Sequence, residues 1–173
     1  MALSLFDLCV PSYVQTLGAV SGFLDKARGH FEANGVSPED VVETRLYPDM
    51  LPFRFQIQSV VHHAVGAIAA LESGVFRPAS NLPDHDYRTL QAIVSDARQA
   101  MQNVSREAVD RFDDATVVFE IRDRKLPFTA PGFLASFSLP NFYFHATTAY
   151  DILRSRGVPV GKRDFLGQLR LKK

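Results

Sequence analysis

Apolar residues recur at spacings of three and four along most of this chain, which is the pattern of amphipathic helices. Residues that commonly cap helices close two of these runs, Gly74 after the second and Gly157 after the last. The runs are expected at about residues 4–33, 52–73, 86–101 and 140–156, the third being capped by Asp84 or Asp86. The pattern predicts four long helices joined by polar loops.

The apolar period shortens to two after Thr116, where Val117, Phe119 and Ile121 alternate with their neighbours. Residues 123–125 then supply a turn, so this stretch is typical of a β-hairpin. We therefore predict an all-α fold, an up-down four-helix bundle with a small β-hairpin before the last helix. One domain should cover residues 1–173, because 173 residues with 46% hydrophobic content can bury a single core.

Charge and composition limit the partners and the cellular location that can be expected. Lys plus Arg and Asp plus Glu number 19 each, so no net field attracts nucleic acid, and no nucleic-acid partner is expected. No apolar run reaches the roughly 18–20 residues that cross a bilayer, so no membrane partner is expected either. The single cysteine, Cys9, cannot form an internal disulfide, which favours a reduced cytoplasmic location with Cys9 in the core.

Three histidines are the first candidates for chemistry, because functional side chains in a bundle core project inward from facing helices. His145 falls on or beside the apolar stripe of the last helix, and His62 and His63 lie halfway along the second. We predict that His145 and His62 line a pocket, with His62, His63 and His145 as candidate metal ligands. The alternative is that each histidine only packs and hydrogen-bonds.

Four further residues complete the predicted ligand pocket. Tyr143 and Tyr150 flank His145 and could orient a proton-transfer group, although helical geometry places them on different sides from it. Lys162 and Arg163 follow the last helix and could hold an anion, or could merely complement the helix dipole. The segment 157–167 is too stiff and apolar for a frayed tail, so we expect it to dock on the fold.

The C-terminal third carries a family resemblance. Residues 140–154 (PNFYFHATTAYDILR), followed by Gly157-Val158 and residues 161–167 (GKRDFLG), resemble an uncharacterised bacterial and fungal domain family of the DinB-like (YfiT-like) superfamily. Residues 47–52 (YPDMLP) match the stretch that leads into that family's second helix. The resemblance spans nearly the whole chain.

The resemblance implies a four-helix bundle, often a homodimer. Better-known branches of the superfamily bind a divalent metal such as Zn, Ni or Mn through three histidines, or use low-molecular-weight thiols as co-substrates. The superfamily's second-helix histidine would match His62 or His63, and the first histidine of its last-helix pair would match His145. The second would fall on Ala149, which cannot ligate a metal.

Three hypotheses follow. The first is a small-ligand-binding protein with a pocket in the bundle core lined by His145, His62 and aromatic residues. The second is a metal- or thiol-dependent transferase or isomerase with a degenerate histidine site, which Asp49 or a water completes. The third is a non-catalytic dimeric stress or interaction protein in which the histidines only pack.

Overall fold

The computed structural model of the chain describes residues 4–80 and 82–172. Residues 1–3, 81 and 173, which the single-domain prediction includes, lie outside that description. The fold is mostly helical with a small sheet. Its helices are α1 (Leu5–Ala33), a 3₁₀ turn (Pro38–Val41), α2 (Phe53–Ser73), α3 (Tyr87–Gln102), α4 (Arg106–Asp110), α5 (Ala130–Phe133), a π-helical segment (Leu134–Ser138), α6 (Leu139–Ser155) and α7 (Lys162–Leu166).

The helix ends follow local capping chemistry. The Ser4 hydroxyl accepts from the Asp7 amide at the start of α1, and Asp86 caps α3 through the Thr89 amide. Gly74 ends α2 with a φ of 73°, a left-handed conformation that costs glycine little. The predicted positions of the long helices are therefore confirmed at most ends, while α4 was not predicted.

The long helices pack in adjacent pairs, α1 with α3, α3 with α2, α2 with α6 and α6 with α1. Their shared interior is apolar and almost fully excluded from solvent. Its largest buried side chains include Tyr13, Tyr87, Phe23, Phe53, Phe133 and Phe142. Cys9 lies in this core as predicted, and burial raises the pKa of its thiol to about 12.

The predicted hairpin is present, but it belongs to a larger sheet. Strands β2 (Thr116–Ile121) and β3 (Arg124–Thr129) pair antiparallel, and β1 (Val75–Phe76) adds to β2 in parallel, in the order β1-β2-β3. Two residues were too few for a recognisable strand pattern. This extra strand fixes Phe76 beside Phe119, and it draws the end of α2 against the hairpin.

The last helix begins earlier than predicted. Residues 130–133 and 134–138 are helical and run without a break into α6, where a short apolar turn was expected. Pro140 lacks an amide hydrogen and cannot donate to the carbonyl four residues back, which favours a local change of hydrogen-bond pattern. The Leu139 amide donates to Leu134 across five residues, so the helix continues through a π turn instead of stopping.

The C-terminal segment docks on α1, as expected. The Gln15 side chain donates to the Leu166 carbonyl at 2.9 Å, and Lys26 pairs with Asp164 at 3.1 Å. A Cβ on Gly167 would lie 3.1 Å from the Cβ of Ala19, so the chain passes very close to α1 here. No helix among residues 4–80 and 82–172 is long and apolar enough to cross a membrane.

Candidate functional site

A cavity of about 250 Å³ lies where α2 and α6 meet the sheet. Its wall brings together the three predicted histidines, one from the last helix and two from the second. The lining residues are Phe55, Ser59, His62, His63, Phe76, Pro78, Ala79, Phe119, Ile121, Phe137, Asn141 and His145. Three imidazoles therefore share one small, largely aromatic space.

Gln56 fixes the tautomer of His145. The Gln56 amide nitrogen donates to the Leu51 carbonyl at 2.8 Å, so its oxygen faces His145 Nδ1, also at 2.8 Å. An amide oxygen only accepts, hence Nδ1 carries the proton and Nε2 keeps its lone pair. Gln56 is 2% exposed and His145 is half-buried, so the Gln56 side of this hydrogen bond is shielded from water. The fold thus presents His145 with an acceptor nitrogen.

His63 is the more deeply placed histidine of α2, although the sequence favoured His62. It is 8% exposed, and its Nδ1 is buried without a hydrogen-bond partner among the described residues. Its ring stacks on that of His145, with centroids 5.6 Å apart and planes 19° apart. A buried nitrogen without a partner is costly, and this one is enclosed, so a ligand would reach it only after a local shift of the ring.

A buried hydroxyl pair supports the backbone beneath His63. Ser138, in the π segment, donates to the His63 carbonyl at 2.8 Å, and Tyr13 donates to Ser138 at 2.7 Å. Tyr13 and Ser138 are both fully buried. The π segment therefore ties α1 and α2 together directly behind the cavity.

His62 lies at the edge of the cavity and is held by the backbone. Its Nε2 donates to the Arg77 carbonyl at 2.8 Å, which leaves Nδ1 as the acceptor. Gly66 makes room for this arrangement, because a Cβ there would lie 3.2 Å from the Phe76 ring and 3.5 Å from His62 Nδ1. A side chain at position 66 would press on the Phe76 ring, while its contact with His62 would be an ordinary one.

Burial keeps two of the imidazoles neutral. Desolvation, followed by the nearby His145 and His62, lowers the pKa of His63 from 6.5 to about 3. Desolvation and His62 lower the pKa of His145 to about 4. None of the described lining residues is an Asp or Glu that could stabilise the charged forms. Near pH 7 both rings are uncharged.

Phenylalanines from four elements form the rest of the wall. Phe119 and Phe137 lie 4.5 Å apart between ring centroids, and Phe76 packs on His62 at 4.7 Å and on His63 at 5.3 Å. Phe133 stacks on Phe137 from behind at 5.7 Å. Strands β1 and β2 place two of these rings, Phe76 and Phe119, beside the histidines.

The other predicted pocket residues lie elsewhere. The Tyr143 side chain is 39% exposed, and its ring contacts that of Phe142. The Tyr150 hydroxyl donates to the Val160 carbonyl at 3.3 Å, and its ring packs on Phe165. Lys162 and Arg163 are exposed on α7. The structure does not bring Tyr143, Tyr150, Lys162 or Arg163 to the histidine cavity.

The residues present do not fit a three-histidine metal site. No group of three or more His, Cys, Asp or Glu side chains within 4–80 and 82–172 is placed to hold a metal. Asp49, the suggested third ligand, is exposed and does not line the cavity. Ala149 is fully buried in the core, and the residue one turn from His145 on the cavity wall is instead Asn141.

Sequence reasoning expected aromatic residues in the pocket but did not identify Gln56, Asn141, Phe76, Phe119 or Phe137. A signal for Gln56 was present, because positions 56, 59 and 63 share one face of α2 and all are polar in a buried stripe. Phe76, Phe119 and Phe137 could not be placed, since they reach the cavity only through sheet pairing and the π segment.

Comparison with known proteins decides the family. The model of a family described as Domain of unknown function (DUF1993) matches residues 5–166. The chain belongs to the DUF1993 family. This DUF1993 chain is also similar to the crystal structure of a DinB family member protein from Shewanella denitrificans, with a TM-score of 0.79 and 28% identity. That similarity covers 98% of this chain and 95% of the other.

These findings confirm the resemblance to an uncharacterised family with a DinB-like fold. A search of curated proteins gives no match. The DUF1993 match and the structural likeness therefore establish ancestry and fold, while the chemistry of the histidine cavity has to be argued from its own residues.

Proposed function

We propose that this chain is a small-ligand-binding protein whose site is the cavity between α2, α6 and the sheet. The observation that supports this most strongly is the set of neutral imidazoles around one space of about 250 Å³. Ligand pockets combine apolar walls with a few fixed polar groups, and Gln56 and the Arg77 carbonyl fix two of the imidazoles here.

The lowered pKa values of His63 and His145 favour binding over proton transfer. A general base works best with a pKa near the working pH, and pKa values of about 3 and 4 make these imidazoles weak bases at neutral pH. They remain good hydrogen-bond acceptors at neutral pH. We therefore assign them the task of recognising a hydrogen-bond donor on an uncharged ligand.

The wall also limits the body of the ligand. Four phenylalanines, Phe55, Phe76, Phe119 and Phe137, surround the histidines, so a flat aromatic group would stack at edge or face. Sites for drug-sized molecules have volumes of roughly 300–1,000 Å³. A cavity of about 250 Å³ suits a single-ring molecule with one hydroxyl or amine donor.

Phenol and anisole test this proposal, because they share the ring and only phenol can donate a hydrogen bond. Nuclear magnetic resonance titrations should show saturable phenol binding that shifts the His63 and His145 ring signals. One neutral hydrogen bond contributes about 1 kcal/mol, so anisole should bind roughly fivefold more weakly. His145→Ala should remove that preference, with His30→Ala as the control outside the cavity.

Equal binding of the two compounds would contradict the assigned role of the imidazoles. Absence of any shift at His63 and His145, with the fold intact, would favour the packing hypothesis, in which the histidines are structural. Far-ultraviolet circular dichroism of each variant separates loss of ligand from loss of fold.

The metal- or thiol-dependent transferase stays an alternative hypothesis. Metal analysis of untagged protein purified without chelator tests it, with His145→Ala as the control. Near one equivalent of Zn, Ni or Mn, lost in that variant, would replace our proposal and direct attention to low-molecular-weight thiols.

We also propose the finer architecture and setting expected from the sequence. The pairwise packing of α1, α2, α3 and α6 supports an up-down four-helix bundle. Homodimer formation rests on the superfamily resemblance, and analytical ultracentrifugation tests it. The lone buried thiol of Cys9 is compatible with the reducing cytoplasm.

A further inference from the structure

A second and larger cavity lies on the other side of the fold, between α1, α3 and the C-terminal tail. Its volume is about 580 Å³, within the range of sites for drug-sized ligands. The described residues that line it include Gln15, Gly18, Arg98, Leu169, Arg170 and Leu171. None of them belongs to the histidine cavity.

The cavity wall is apolar but contains one arginine without a counter-charge. Arg98 forms no ion pair with any carboxylate among the described residues, and its Nε is buried without a hydrogen-bond partner. Arg98 as a whole is only partly buried, and its Nε is enclosed beside Gly18. An anion in this cavity would therefore bond to the terminal guanidinium nitrogens, which have no carboxylate partner among the described residues.

Gly18 gives the Arg98 guanidinium its place against α1. A Cβ on Gly18 would lie 3.2 Å from Arg98 Nε and 3.3 Å from Arg98 Cζ, so only glycine allows this approach without a shift. The lining residues include a second cation, Arg170, and no Asp or Glu among those described. The described lining therefore carries two positive charges and no negative one.

The tail supplies an apolar rim. Leu169 and Leu171 line the cavity and remain 52% and 77% exposed, so both have apolar surface that a ligand could cover. The tail is held over α1 by the Gln15 contact to the Leu166 carbonyl. A ligand with an apolar chain would cover these side chains while its charged end reached Arg98.

We propose that this cavity binds a small amphiphilic carboxylate, with its carboxylate on Arg98 and its apolar chain between α1, α3 and Leu169. The planar guanidinium matches a carboxylate in charge and shape. A phosphate monoester carries nearly two charges, and its second charge could pair only with Arg170, which is exposed to water on the tail, where an ion pair contributes little. The proposal does not depend on the histidine cavity.

Decanoate, decan-1-ol and decyl phosphate test the proposal on the full chain, because the three share one apolar chain and differ in the head group. Isothermal titration below the micelle concentration should show saturable decanoate binding, at least tenfold tighter than decan-1-ol, as expected for a charge-assisted hydrogen bond. Decyl phosphate should bind more weakly than decanoate.

Arg98→Gln should reduce decanoate affinity to that of decan-1-ol. Arg88→Gln is the matched control, since Arg88 is exposed on the same helix and does not line the cavity. Should Arg98→Gln fold poorly, the Arg98 Nε–Hε resonance of the unmodified chain decides, because decanoate must shift it.

Several results would overturn the proposal. They are equal affinity for decanoate and decan-1-ol, tighter binding of decyl phosphate, an unchanged Arg98→Gln variant, or no saturable binding. A dimer that sediments without decanoate and dissociates on Arg98→Gln would show instead that a second copy of the chain occupies the cavity.

Discussion

Lowering the pH from 7 to 5 should destabilise the folded chain, because the fold holds His63 and His145 neutral. Their pKa values fall from 6.5 to about 3 and about 4 on folding, so the unfolded chain binds more protons than the folded chain in this range. Stability is therefore fully present above about pH 6.5 and is lost as the pH falls toward the folded pKa values. This pH dependence of stability is opposite in sign to that produced by a histidine whose charged form is stabilised by a carboxylate.

The size of the effect follows from the same pKa values. Each pKa unit corresponds to about 1.36 kcal/mol, and between pH 7 and pH 5 each histidine would cost close to 2 kcal/mol. Both together would cost about 3–4 kcal/mol, a large part of the roughly 5–15 kcal/mol that stabilises a typical domain. Water reaches half-buried His145, and this solvation reduces the contribution of His145 to the loss of stability.

Carboxylates do not interfere in this window. The pKa values of Asp7, Asp86 and Glu120 are lowered by hydrogen bonds to Arg106, Thr89 and Lys125 respectively, and these groups lose their contribution only as the pH falls below their ordinary values near 4. A change between pH 7 and pH 5 thus reports on histidines.

Urea denaturation followed by circular dichroism at both pH values measures the effect. His63→Gln with His145→Gln should remove most of the pH dependence, whatever the change in absolute stability, and His30→Gln should keep it. A double variant with the same pH dependence as the unmodified chain would refute the assigned burial of these rings.

Two further substitutions probe the cavity and its support. Asn141→His should create zinc binding, because position 141 shares the cavity wall with His63 and His145. Zinc at a hundred times its Kd should then stabilise the folded variant by about 2.7 kcal/mol, which a thermal-shift assay measures. Ala149→His should bind no zinc and should instead lose about 1–3 kcal/mol by overpacking a fully buried position. Tyr13→Phe should cost about 1 kcal/mol in urea denaturation by removing the hydrogen bond to Ser138, and an unchanged midpoint would contradict that contact.

The helices could be predicted from the sequence because their signals are local. Apolar spacing and caps such as Asp86 and Gly74 act within a few residues, and they place the long helices within a turn. The start of the last helix was missed because Pro131 and Pro140 indicate breaks locally. Packing against the sheet and α2 keeps that stretch helical.

The site was predictable in part for the same reason. His145 and the His62–His63 pair could be identified as inward candidates from helical position alone. Which α2 histidine is the deeper one depends on the rotation of α2 against α6, and this is a tertiary quantity. Asn141 could not be distinguished from Ala149, because both lie one turn from His145. Only the register of α6 on α2 chooses between them, and this register pairs His145 with Gln56 and Ser138 with His63.

The π segment makes the count of residues before α6 as important as their identity. It holds one residue more per turn than an α-helix, and each residue of an α-helix turns the chain by about 100°. Loss of a single residue from 134–138 would restore ordinary winding and rotate Phe133 out of the aromatic cluster behind the cavity. A length change of one residue, with every lining side chain conserved, would therefore reshape the cavity, so relatives that keep the histidines but lack this insertion would have a different binding space.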